Sequence, residues 1–384
     1  MKDLSQPDPA YFDPDQCDLA DLKALCDRSL TAEEVPHAAE IAGNIPIYDA
    51  AGLPGADRRT VMAEWARNLR TGSGVIAIRQ AQPDHVAIDA ATAVFLDIIA
   101  AEKAANGTAA DHFAAAGAND RIWNSLQKLC LAAPETFARY HGAPALHMAC
   151  EAWLGPNYQM TAQVNLVHPG GAAQQAHRDY HLGFQTAEVS ARYPAHVHDL
   201  SPVLTLQGAL AHCDMEIASG PTKLLPFSQA YRAGYAAWRL PAFRAFFEDR
   251  FVQLPLQKVD ALFFNPALFH AAGANTTQDV ERLANLFQVS SAFGRAMEAV
   301  DRLAMCNALY PALRALALPE AAQEAAIAAC AEGYSFPTNL DSDPPAGGLA
   351  PQTQADLMRA ALAEAQDPAV FVAALDALIT RQRP

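Results

Sequence analysis

The chain has 384 residues, 51% of them apolar, enough for a large buried core. Its net charge is -15, from 42 acidic and 27 basic residues, and no basic run is dense enough to track a phosphate backbone. Nucleic acid is therefore excluded as an expected partner, and small molecules are favoured.

The N-terminal stretch MKDLSQPDPAYFDPDQCD is acidic and carries no apolar h-region, so no signal peptide is expected. Residues 1–16 read as a loose, proline-punctuated arm. Residues 17–153 read as mainly helical, with helices at 18–28, 58–69, 84–104, 120–131 and 135–154, and a strand at 74–79. The apolar stretch 86–101 is interrupted by Asp89 and Asp97, which marks a globular helix and not a membrane span. No membrane partner is expected.

Residues 154–292 change character. Strand-like runs fall at Gln159–Val167, 203–212, 251–256, Ala261–Phe264 and 283–290. Turn signals separate them at Pro169-Gly170-Gly171, Ser219-Gly220-Pro221, Asn265-Pro266 and Gly273-Ala274-Asn275. Short strands with this punctuation predict a double-sheet jelly roll. Residues 293–384 return to helix at 295–316, 320–332, 353–365 and 368–380, with Pro311 expected to kink or break the first. The expected class is mixed α/β (α+β), a cupin-like double-stranded β-helix wrapped by N- and C-terminal helices. Seven scattered cysteines, never in a CxxC pair, read as reduced thiols of a cytoplasmic protein. Homo-oligomerisation is left open.

The segment QQAHRDYHLGF holds His177-x-Asp179. On a strand, residues i and i+2 share a face, with Cα atoms roughly 6.5 Å apart, so an imidazole and a carboxylate can reach one ion. His270 follows the apolar run Ala261–Phe264 and offers a third ligand. Two imidazoles and one carboxylate on one face of an octahedral ion leave three adjacent positions open. That suits a non-haem Fe(II) oxygenase, with two positions for a bidentate 2-oxo acid and one for O2. Each fragment alone is weak, since HxD arises by chance and a lone histidine is more often a satisfied core residue. Order and spacing carry the case. Arg282, twelve positions after His270, could clamp a distal carboxylate bidentately. Gln163 and Asn165 share one face of their strand, as do Thr205 and Gln207 on the next, and either face could line a barrel interior or meet solvent. His181 extends the motif, but the strand is expected to end near Asp179 and leave His181 at the pocket rim. His196, His198 and His212 are read as surface or hydrogen-bonded histidines in preference to a second metal site.

Residues 160–290, about a third of the chain, resemble the phytanoyl-CoA dioxygenase-like family of Fe(II)/2-oxoglutarate oxygenases. The motifs are Pro169-Gly170, His177-Arg178-Asp179, Gly220-Pro221 with Pro226-Phe227-Ser228, His270, Asn275-Thr276-Thr277 and Arg282. The Pro-Gly-Ser-His stretch of the family reads Pro226-Phe227-Ser228-Gln229 here. One oxygenase domain is expected over 1–384, since jelly-roll enzymes with helical additions often run long as one unit. The resemblance implies Fe(II) on His177, Asp179 and His270 and 2-oxoglutarate clamped by Arg282, with Thr277 of the same motif, and Gln163 and Asn165 from their strand face, as further candidate contacts of the co-substrate. O2 is the oxidant, and an unidentified small molecule is hydroxylated. The alternatives are a halogenase or desaturase variant of the same chemistry, or a non-catalytic cupin-like metal-binding protein. Related halogenases lack the carboxylate ligand, and Asp179 is present.

Overall fold

A computed structural model describes residues 9–106, 118–345 and 347–384. The first eight residues of the expected arm lie outside it. Among the described residues, eleven strands form two sheets. In chain order they are β1 (Glu40–Ala42), β2 (Ile45–Asp49), β3 (Val75–Arg79), β4 (Asn119–Ile122), β5 (Gln159–Val167) and β6 (Thr205–Ala211). β7 (Lys223–Leu225), β8 (Val252–Gln253), β9 (Ala261–Phe264), β10 (Phe269–Ala271) and β11 (Arg282–Ser290) follow. The major sheet runs β1-β2-β3-β9-β6-β11-β5-β4, and the minor sheet runs β10-β7-β8. All pairings are antiparallel except β2 with β3.

Period-two alternation decides which face each residue serves. Along β5, Met160, Ala162, Val164 and Leu166 point outward into the main apolar core. There they meet Trp65, Phe95, Phe137, Leu309 and Leu375 of the surrounding helices. The intervening Gln163 and Asn165 point inward and line a cavity between the two sheets. The inner face of β9 and β3 is apolar, and Val75, Leu262 and Phe264 pack there with Leu224, Leu256 and Leu268. The jelly-roll core wrapped by helices is therefore present as expected. The outer core is continuous from Tyr48 to Leu378 and so includes both flanking helical regions.

Several boundaries differ from the sequence expectation. Helix 135–154 is two helices, Pro134–His141 and Pro144–Leu154, because proline suits the first turn of a helix and breaks its interior. The helix expected at 120–131 begins at Ser125 instead, and Asn119–Ile122 is edge strand β4. The helix Arg302–Ala315 begins later than expected and continues through Pro311 without breaking. His196 and His198 stand on a short helix, Ala195–Leu200. No helix among the described residues is long and apolar enough to cross a membrane.

Candidate metal centre

His177 enters the site from an extended segment that pairs with β10. His177 N–H donates to His270 O at 3.0 Å, and His270 N–H returns the bond at 3.1 Å. The HxD segment thus adds itself to the edge of the minor sheet beside the strand that carries the third candidate ligand. Asp179 N–H donates to Pro266 O at 3.1 Å and fixes the far end of the segment. The chain then turns sharply, with left-handed φ of 62° at Tyr180 and 38° at His181. That turn takes His181 off the metal-facing side. Its Nδ1 lies 3.0 Å from Ser201 Oγ, and its ring does not line the cavity.

The three side chains converge. Their candidate ligand atoms all lie within 4.8 Å of one another, the one such cluster among the described residues. His177 Nε2 is 3.6 Å from Asp179 Oδ1, and His270 Nε2 is 3.4 Å from Asp179 Oδ2. Each imidazole has its other nitrogen occupied. Nδ1 of His177 donates to Gln175 O at 2.8 Å, and Nδ1 of His270 donates to Leu268 O at 2.9 Å. A backbone acceptor on Nδ1 selects the tautomer whose Nε2 lone pair points at the common centre. Burial pushes the His177 pKa down and favours the neutral ring a metal requires. Burial alone would raise the Asp179 carboxyl, but His177, His270 and the Gln207 amide together hold it below the usual carboxylate range. Two imidazoles, one carboxylate and an open cavity beside them are a donor set that fits a divalent iron.

The cavity encloses about 130 Å³. Arg282, the first residue of β11 and 7% exposed, also lines it. Its Nη1 donates to Ser219 O at 3.1 Å and Gly273 O at 3.3 Å, and it has no ion pair among the described residues. Burial lowers its pKa to about 10, so it keeps its charge at neutral pH. The two carbonyls come from the turns flagged in the sequence. Gly220 sits at φ 77° with its backbone against Ala274, where an added Cβ would lie 2.3 Å from Ala274 O, so this position requires glycine.

The remaining assignments divide. Gln163 and Asn165 face the cavity; Gln163 Nε2 reaches Met297 Sδ at 3.5 Å, and Asn165 Oδ1 accepts from Asn119 at 2.9 Å. Gln207 also faces it, whereas Thr205 is buried away from it. Thr277 does not reach the cavity. Its hydroxyl donates to Asn275 Oδ1 at 2.6 Å and caps the loop before β11. Ser228 has a structural part: its Oγ accepts from Phe269 N at 2.8 Å and donates to Leu225 O at 2.6 Å, which ties β10 to β7. Gln229, in the family's histidine position, bonds to Gly72 O at 2.8 Å, outside the cavity. His198 and His212 are hydrogen-bonded, to Ser190 O and to Thr92 and Tyr140 respectively. Sequence reasoning missed Gln174, Phe184, Gln288 and Met297 as lining residues. Only Gln288 carried a usable signal, since it shares a face with Arg282 along β11 at even spacing.

The model of the phytanoyl-CoA dioxygenase (PhyH) family matches residues 56–284. That is wider than the third of the chain carrying the motifs, and it takes in the N-terminal helices from Arg58 onward. A dioxygenase of Emericella variicolor, andF, is 28% identical over 146 residues, covering 36% of this chain and 45% of that protein. The chain thus spans less than half the length of that curated relative. Among solved structures, the non-haem α-ketoglutarate-dependent epimerase SnoN from nogalamycin biosynthesis is 18% identical, with a TM-score of 0.40 over 61% of this chain and 83% of that one. The carbocyclase SnoK from the same biosynthesis is 16% identical, with a TM-score of 0.44 over 62% of this chain and 87% of that one. With the match extending over more than half of its length, the chain belongs to the phytanoyl-CoA dioxygenase family of iron- and 2-oxoglutarate-dependent enzymes.

Proposed function

We propose that the protein is a dioxygenase that couples 2-oxoglutarate oxidation to hydroxylation of a small molecule, with His177, Asp179 and His270 as its iron ligands. The observation that carries this reading is a buried, unpaired guanidinium, Arg282, in the same cavity as a convergent His-Asp-His set. A buried charge with only carbonyl partners is costly, and an incoming carboxylate relieves that cost. Arg282 binds the distal carboxylate of 2-oxoglutarate and so orients its 2-oxo acid end toward the metal. Iron with the 2-oxo acid supplies the oxidising chemistry when bound. Asn165 and Gln163 line the wall beside the co-substrate, and the apolar wall of Leu262, Phe264 and Leu286 excludes water from it. Thr277 is proposed only as a support of the loop that leads into Arg282. Asp179 fills the position that chloride takes in related halogenases, and this favours hydroxylation.

Succinate release from 2-oxoglutarate tests the reading. The expected result is succinate formed only with Fe(II) and O2 together, and lost in Asp179→Ala. Succinate formed at the wild-type rate by Asp179→Ala would remove the assignment.

A further inference from the structure

The inference concerns Gln207 and rests on the iron site proposed above. Gln207 sits on β6, 4% exposed, directly opposite Gln288 on β11. Its Nε2 donates to Asp179 Oδ2 at 2.5 Å and lies 3.5 Å from Gln288 Oε1. The orientation of this amide follows from chemistry. A carboxylate only accepts, so the NH2 group must face Asp179. Gln207 Oε1 is then buried with no partner. An amide placed only to satisfy itself would not leave its carbonyl unpaired in a buried wall. The arrangement keeps its donor on Asp179 instead.

We propose that Gln207, steadied by Gln288, is a positioning residue that holds Asp179 to one-oxygen coordination. The amide engages one lone pair of Oδ2 and leaves Oδ1 the freer oxygen for an ion. The consequence is a count of open positions. Two imidazoles and one carboxylate oxygen leave three sites on an octahedral ion, whereas a carboxylate using both oxygens leaves two. A bidentate 2-oxo acid and O2 together need three. Gln207 therefore protects the position that the co-substrate's second donor atom requires. This effect falls on the chelating end of the 2-oxo acid and not on the distal carboxylate held by Arg282.

Gln207→Met keeps the side-chain length and removes the donor. Gln288→Met leaves the donor and removes its support. Both would be loaded with Fe(II) without oxygen and titrated with 2-oxoglutarate and with pyruvate, reading the visible charge-transfer band. Gln207→Met is expected to weaken both 2-oxo acids by a similar factor, about ten-fold or more, and Gln288→Met by a smaller factor in the same direction. A Co(II)-loaded sample of Gln207→Met should show shifted d–d absorption, reporting changed coordination. Binding of both acids within about two-fold of wild type, with an unshifted Co(II) spectrum, overturns the positioning role and leaves the iron site standing. A wild-type protein that forms no charge-transfer band overturns the iron site and this role with it. If Gln207→Met does not fold, an unchanged response in Gln288→Met overturns the paired-amide arrangement.

Discussion

His177 and His270 each spend Nδ1 on a backbone carbonyl and keep Nε2 for the shared centre. Replacing either with Ala removes one of three candidate ligands, and iron-dependent consumption of 2-oxoglutarate should vanish in the folded variant. Near-normal consumption would show that the residue is not a ligand. Arg282 answers a different question. Truncating one partner of a buried charge pair costs about 2–5 kcal/mol, on the order of thirty-fold to several-thousand-fold in affinity. Arg282→Ala should therefore lose 2-oxoglutarate by at least about thirty-fold while pyruvate, which lacks the second carboxylate, changes little. Parallel titrations with the two acids check this, and 2-oxoglutarate binding within about three-fold of wild type would place the clamp elsewhere, since the loss then falls well short of that for an unpaired buried charge.

At the scale of elements, the metal-facing segments are held by ties that have little to do with metal. β10 is three residues long, and Phe269 N–H, next to His270, is satisfied by the Ser228 hydroxyl. Ser228→Ala leaves that buried N–H unpaired, at about 1–3 kcal/mol. It should lower the urea midpoint and weaken iron binding together. A lowered midpoint with unchanged iron affinity would show that β10 keeps its place without this tie. The same elements explain what the sequence disclosed. The nine-residue alternation of β5 and the short apolar run of β9 were readable to the residue, and the order of His177, Asp179, His270 and Arg282 pointed to residues that line one cavity. Three-residue strands such as β7 and β10 are too short for periodicity to register and exist through pairing with distant partners. Gln163 and Asn165 could not be assigned to cavity or solvent from β5 alone. Only the helical layer on the opposite face decides that they point inward. Thr277 was misplaced because its motif builds a turn, and turn chemistry and ligand chemistry use the same residue types.

Across the whole molecule, the helices shelter histidines that the site does not use. His141 and His212 are buried, and burial pushes each pKa down to about 3. Both are neutral in the fold. In the unfolded chain each takes up a proton as pH falls through its ordinary value of about 6.5. The unfolded state then binds more protons, so stability is full above about pH 6.5 and declines as pH falls toward the folded values. Each group steepens that decline by up to about 1.4 kcal/mol per pH unit. His141 packs between Phe137, Tyr140 and Phe287, so His141→Phe removes a titrating group from an aromatic setting. Urea unfolding at pH 7 and pH 5 should show a smaller stability loss in this variant than in wild type, and an equal loss would assign the acid sensitivity to other groups. The helices and sheets together build the cavity in which iron and 2-oxoglutarate would meet. The most direct measurement is anaerobic addition of 2-oxoglutarate to Fe(II)-loaded protein, followed by visible absorption. A weak charge-transfer band that needs both components and is absent from His270→Ala is expected; no band in wild type, or an undiminished band in His270→Ala, would contradict an iron and 2-oxoglutarate site at these residues.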